Sequence, residues 1–217
     1  ILPYSERNGF VFIGNFLHKP NEDAVRFLKE TIWPLIRKEL KATLNIYGAY
    51  PSQQILQYHN PCEGFLVHGR AENALEVIGA ARVMLAPIRF GAGLKGKLLE
   101  AMAMGTPSVT SSIGAEGISS GFWNGFIEDE KEKFATAAVK LHQEKEAWEE
   151  AQELGFEILD ERFCADDFYS EFIEMILNVR NELDFRRHKN FTGRMLQHHS
   201  MRSTEYMSRW IEAKNQK

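Results

Sequence analysis

The stretch from Leu85 to Ile118 reads LAPIRFGAGLKGKLLEAMAMGTPSVTSSIGAEGI, and its reading decides the fold. An apolar run ends at Pro87, glycines fall at Gly91, Gly93 and Gly96, and a helix-forming segment starts at once. A buried strand passing through a glycine-rich turn into a helix is the building unit of a parallel α/β sheet. In such sheets ligands bind beyond the carboxyl ends of the strands. Glycines there let backbone amides approach a phosphate, and the following helix presents unpaired N–H groups at its positive end. Arg89, Lys95 and Lys97 add cations to the same stretch.

Glu100 falls about four or five residues into that helix, which at roughly 1.5 Å per residue sets it about 6–8 Å from the N-terminus. That is near the distance from a diphosphate to its ribose, whose vicinal hydroxyls a carboxylate can accept. By spacing alone Glu100 serves equally as a surface partner of Lys97, three residues back. Arg89 and Lys97 likewise fit either an anion site or ordinary surface pairing.

Outward from this segment the pattern repeats. Short apolar runs at 9–16, 44–48, 64–68, 83–87 and 107–111, with a weaker one at 124–127, alternate with amphipathic helical segments. This predicts a Rossmann-like parallel sheet with helices on both faces. Asn21 is expected to cap the first helix, with Glu22 and Asp23 favouring its N-terminus, and Pro34 to kink or interrupt it. Asn73 is expected to cap a helix over 74–81. Helices are expected over 131–142, 144–159 and 166–183. From Phe185 the chain turns basic and rich in Met and His, which predicts a helical extension over 185–217 appended to a domain over 1–184.

The 217 residues, 44% hydrophobic and 26% charged, have the balance of a globular protein with a sizeable core. A net charge of −4 provides no global field for nucleic acid, so any anion must be held locally. Cys62 and Cys164 lack the paired spacing of zinc sites, and His198 and His199, adjacent on a helix, point apart, so no metal site is expected. The opening Ile1-Leu2-Pro3-Tyr4 has neither a basic n-region nor a long apolar run. The chain reads as a piece of a longer protein with a partner domain outside it. Gly91, four residues, then Gly96-Lys97 approaches a P-loop, but Leu98 stands where Ser or Thr must hold magnesium. No G-x-G-x-x-G follows the first strand either, which argues against a dinucleotide enzyme.

Arg89-Phe90-Gly91-Ala92-Gly93 and Lys97-Leu98-Leu99-Glu100-Ala101-Met102-Ala103 resemble the donor-binding signature of glycosyltransferase group 1 (family 4). Thr106 to Thr110 and Gly114 to Gly117 continue the resemblance, and Phe12-Ile13-Gly14, Leu44 to Gly48 and Val67-His68-Gly69 fall where that family has its first three strands. The resemblance covers roughly 9–180. It implies the C-terminal, nucleotide-sugar-binding half of a two-domain GT-B enzyme that transfers a sugar with retention to a glycan, lipid-linked or polysaccharide acceptor. It implies Glu100 on the ribose, the backbone at Gly91, Ala92 and Gly93 facing diphosphate and sugar, and Gly14 with Asn15 bordering the phosphates. His68-Gly69-Arg70 would lie beside the base. Lys97 and Arg89 would stabilise the departing diphosphate, the largest catalytic need in such a transfer, without an obligatory metal or other cofactor.

The implied partners are the nucleotide-diphosphate sugar, the acceptor-binding N-terminal domain of the same chain and a membrane-associated lipid acceptor. The implied location is the cytoplasm, with peripheral attachment at the inner membrane face as a variant. Two positions depart from the family pattern: Ala92 stands where a first glutamate contacts the hexose, and Asn15 follows Gly14 where an Arg is usual. These departures keep open a non-catalytic nucleotide-sugar-binding module, beside a GT-B epimerase. His18, close to the Gly14 turn, can face the cleft.

Overall fold

The computed structural model describes residues 1–119 and 121–215. Contacts divide the chain into two compact units, Ile1–Phe163 and Cys164–Lys217. The first unit contains six strands: β1 (Phe10–Ile13), β2 (Leu44–Tyr47), β3 (Phe65–Gly69), β4 (Val83–Ala86), β5 (Ser108–Thr110) and β6 (Gly125–Ile127). Every neighbouring pair is parallel and the order is β3-β2-β1-β4-β5-β6. Phe10, Phe12, Leu44, Ile46, Phe65, Val83, Met84 and Leu85 are sealed from solvent. The central strands β1 and β4 are buried on both faces, which is why they read as unbroken apolar runs, whereas β2 alternates buried and half-buried residues.

The helices of this unit are α1 (Lys19–Phe27), α2 (Trp33–Glu39), α3 (Gln53–Gln57), α4 (Ala74–Ala80), α5 (Gly96–Ala103), α6 (Ser112–Ala115), α7 (Lys131–Gln143) and α8 (Lys145–Phe163). α2 packs with α7, and α4 and α8 pack with α5, so the sheet carries helices on both faces. The Asn73 side chain caps α4, accepting from the Leu75 and Glu76 amides. Between α1 and α2 the chain makes a π-helical turn over Leu28–Ile32 and continues, with Pro34 in the first turn of α2. Within this continuous run Pro34 cannot donate a helical bond, and the ladder is interrupted by a widened turn just before it.

The start of α1 differs from the sequence expectation. His18 is the N-terminal cap residue, without a side-chain cap bond, and Pro20 sits in the first turn. Proline has the φ that this position needs, so the helix begins before Asn21 and leaves its carboxamide free to bond elsewhere.

The order 3-2-1-4-5-6 places a topological switch between β1 and β4. The connection after β1 leads into α1 and that after β4 into α5, so a crevice opens where the two loops part, and ligands occupy such crevices.

The second unit comprises α9 (Ala165–Asn181), α10 (Leu183–Lys189) and α11 (Phe191–Asn215). The helix expected over 166–183 therefore falls in this unit, ahead of the compositional change at Phe185. Phe168, Phe172 and Ile176 on α9 are exposed. The His198 and His199 side chains lie outside those described. Among the described residues no helix is long and apolar enough to cross a membrane.

Candidate functional site

A cavity of about 590 Å³ occupies the crevice between the β1 and β4 loops. On the β1 side it is lined by Gly14, Asn15, His18, Pro20 and Asn21, and on the β4 side by Phe90, Gly91, Ala92, Leu94 and Lys95. Gly96, Lys97 and Glu100 of α5 form its floor, and Arg70, Ala71 and Ala74 close the side toward β3. Of the sequence candidates, the fold brings Gly14, Asn15, Arg70, Gly91, Ala92, Lys97 and Glu100 to one cavity.

His68, Gly69, Arg89 and Gly93 are not in its lining. His68 belongs to strand β3 itself and not to the loop beyond it. Its ring stacks on Tyr47 with centroids 4.7 Å apart, and its Nε2 lies 2.8 Å from Asn45 Oδ1. Burial, with His59 adding to it, pushes its pKa down. Arg89 turns toward α1, where Nε and Nη2 donate to the Asp23 carboxylate at 2.8 and 2.6 Å. The guanidinium also lies 4.6 Å over the Phe27 ring. Gly93 has φ +79° and open space around it.

The β4 loop needs its glycines. Gly91 has φ +126°, and a Cβ there would stand 3.2 Å from Pro20 Cγ across the crevice. Left-handed backbone of this kind is strained for any other residue. Lys95 is held at 3.6 Å from Glu116 and bends back toward the Gly91 carbonyl at 3.5 Å. α5 starts after Lys95 with no side-chain cap bond. Its positive end lines the cavity through Gly96 and Lys97, and helix N-termini of this kind take up phosphate.

Lys97 is the most perturbed group here. Its Nζ donates to Asn21 Oδ1 at 2.6 Å and lies 4.3 Å over the Phe12 ring. Desolvation by burial pushes its pKa down to about 7, against a smaller opposing pull from Glu100. A desolvated amine in a cleft is a functional-site candidate. Glu100, one turn deeper, is exposed to the cavity.

Sequence reasoning missed Asn21 and Pro20 as cavity residues. Both sit in the first turn of α1, and the only local signal is the helix boundary, which lies at His18 and not at Asn21. Asp23, whose sequence position suggests only a helix-dipole role, is the partner of Arg89.

A six-stranded parallel sheet in this order, with a cavity at its switch point, defines a Rossmann-like domain of the kind that forms half of a GT-B fold. Residues 7–144 match the family described as glycosyl transferases group 1, and the chain belongs to that family. Solved structures with the same fold include an S. aureus TarM variant in complex with fondaparinux, alpha-GlcNAc-glycerol and UDP. It is 14% identical over 80% of this chain and 36% of that one, with TM-score 0.66. Sucrose-phosphate synthase from Thermosynechococcus elongatus is 16% identical over 83% of this chain and 47% of its own, with TM-score 0.62. Anabaena HepE, in complex with UDP and glucose, is 13% identical over 81% and 49%, with TM-score 0.60. The chain thus spans between a third and a half of those proteins. No curated protein sequence matches it.

Proposed function

We propose that this chain is the donor-binding half of a retaining glycosyltransferase that moves a sugar from a nucleotide-diphosphate sugar to a glycan, lipid-linked or polysaccharide acceptor. The observation that carries the reading is the convergence of the Gly14 and Gly91 loops, the open end of α5, Lys97 and Glu100 on one cavity at the sheet's switch point. The diphosphate would lie across the two loops at the α5 N-terminus, and Glu100 would accept from the ribose hydroxyls. Arg70 and Ala71 would border the base.

When the glycosidic bond to the leaving phosphate breaks, negative charge grows on the phosphate oxygen. Fixed positive groups then supply the main stabilisation. In this arrangement Lys97 and the α5 dipole are in reach, whereas Arg89 is engaged by Asp23. Burial gives Lys97 a further property: the arriving diphosphate would favour its protonated form, so its charge is strongest when the donor is bound. The acceptor would be held by an N-terminal domain of the full-length protein, working in the cytoplasm or at the inner membrane face. UDP in the TarM and HepE structures makes UDP-sugars the first donors to try.

The test is a thermal-shift series with UDP, GDP, ADP and their sugars on the chain and on Glu100→Ala. A ligand at about 100 times its dissociation constant should add roughly 2.7 kcal/mol of stability. If none raises the melting temperature, the donor-domain reading fails.

A further inference from the structure

Asn21 makes two hydrogen bonds of opposite sense. Its Nδ2 donates to the Asn15 carbonyl at 2.7 Å, and its Oδ1 accepts from Lys97 Nζ at 2.6 Å. The two together fix the amide, because a flip would aim N–H at an ammonium and oxygen at a carbonyl. Both partners crowd the bend after β1. A Cβ at Gly14 would stand 2.7 Å from Asn21 Cγ and 2.8 Å from Lys97 Nζ. A lysine stem has four carbons and many rotamers, so an amine held this tightly needs a fixed acceptor.

We infer that Asn21 is a positioning residue for Lys97, fixing its amine in the cavity wall at Gly14 and coupling it to the loop that would border the diphosphate. The inference rests on the donor-binding reading above. It adds an element that the family resemblance did not supply: the acceptor comes from the first turn of α1, on the opposite side of the crevice from α5.

The charged groups around the amine are few. Glu100 lies on its own helix and Lys95 just before it, while His18 and Arg70 line the same cavity from the α1 and β3 sides. Asp23 on α1 is paired with Arg89 and Arg26. The nearest fixed acceptor of Lys97 is therefore neutral, and replacing it with a carboxylate or an alkyl group should move the amine's titration in opposite directions.

The experiment measures affinity of the chain for UDP-glucose, UDP-N-acetylglucosamine, GDP-mannose and ADP-glucose by calorimetry between about pH 5.5 and 8.5, where their esterified diphosphates keep their charge. Wild-type affinity for the tightest of them should fall as pH rises through about 7, where Lys97 loses its proton. Asn21→Leu removes both bonds and should weaken binding roughly tenfold or more while moving the fall to lower pH. Asn21→Asp keeps the acceptor for Lys97 but loses the donor to Asn15. It also adds an anion to the cavity, so binding should weaken here too, but the fall should move to higher pH, opposite to Asn21→Leu.

If Asn21 only braces the loop, both variants will weaken binding with the pH midpoint left where wild type has it, which overturns the inference. Failures of the two readings are separable. No binding of any probe by wild type removes the donor-domain reading, whereas tight binding retained by Lys97→Ala removes the role of Lys97 and of Asn21 with it.

Discussion

Arg89 and Asp23 join the loop after β4 to α1 through a two-point ion pair, Nε to Oδ2 at 2.8 Å and Nη2 to Oδ1 at 2.6 Å. Asp23 is only 7% exposed, and Arg26 donates to the same carboxylate at 2.6 Å. The Arg89 hydrogen bond holds the Asp23 pKa below the usual carboxylate range, against an opposing effect of burial. The pair is thus a clamp across the crevice, and its arginine half is partly exposed.

Asp23→Asn should cost about 1–3 kcal/mol of stability at pH 7, since one buried carboxylate serves two arginines. The folded-state pKa is depressed, so this contribution is complete above the unfolded value near pH 4 and is lost as pH falls below it. Urea denaturation of wild type and variant should therefore differ at pH 7 and converge toward pH 3. A constant difference across that range would show that the carboxylate's charge is not what matters.

The same clamp separates two roles for Arg89. Arg89→Ala should lower stability while leaving nucleotide-sugar affinity within about threefold, because its guanidinium is already engaged at the loop's far side. An affinity loss matching that of Lys97→Ala would instead put Arg89 on the departing diphosphate.

Much of this architecture could be read from the chain because its central strands are continuous apolar runs closed by Gly or Pro. Phe10–Ile13 ends at Gly14 and Val83–Ala86 at Pro87. The Gly91 loop was legible for a backbone reason: φ +126° calls for glycine whatever surrounds it. Side-chain destinations were not legible. Arg89 meets a residue 66 positions away and Lys97 one 76 positions away. No local pattern carries such pairings, since they exist only once β1 and β4 lie side by side. His68 shows the same limit: the run over 64–68 places it on a strand, but its stacking on Tyr47 and its contact with Asn45 exist only once β2 and β3 pair.

Glu100→Gln tests the pentose contact directly. Losing a charged acceptor for two hydroxyls should weaken nucleotide-sugar binding by about 1.5–3 kcal/mol, roughly tenfold to a hundredfold. The same substitution should cost little with a 2′,3′-dideoxy analogue, which has no hydroxyls to offer. Calorimetry on the four combinations gives the coupling. An additive cycle would place Glu100 away from the ribose.

Residues 1–163 should fold without the second unit. The sheet, both helix layers and the cavity all belong to Ile1–Phe163, whereas α9 to α11 leave Phe168, Phe172, Phe191 and Trp210 exposed. A chain ending at Phe163 should keep a cooperative melt and the nucleotide affinity of the longer form, while binding less of a hydrophobic dye. Loss of cooperativity would mean that α9 supplies packing that the first unit lacks.

Lys97 should reveal a conflict between stability and binding. Its folded pKa of about 7 lies below the ordinary value of 10.5, so between these pH values the unfolded chain binds more protons than the folded one. Stability contributed by this group therefore rises with pH across that window, and below it the charged amine is a net cost to the empty protein. Lys97→Met keeps the length of the side chain and removes that cost, so the ligand-free variant should melt higher than wild type at pH 6 and the gap should shrink toward pH 10. Nucleotide-sugar affinity should move the other way, falling roughly tenfold or more at pH 6. A variant that melts lower at pH 6, with affinity unchanged, would mean that the amine is structural and that burial, not a ligand, accounts for its surroundings. If both shifts occur in the stated directions, the desolvated lysine is a feature retained for binding at the expense of the empty fold.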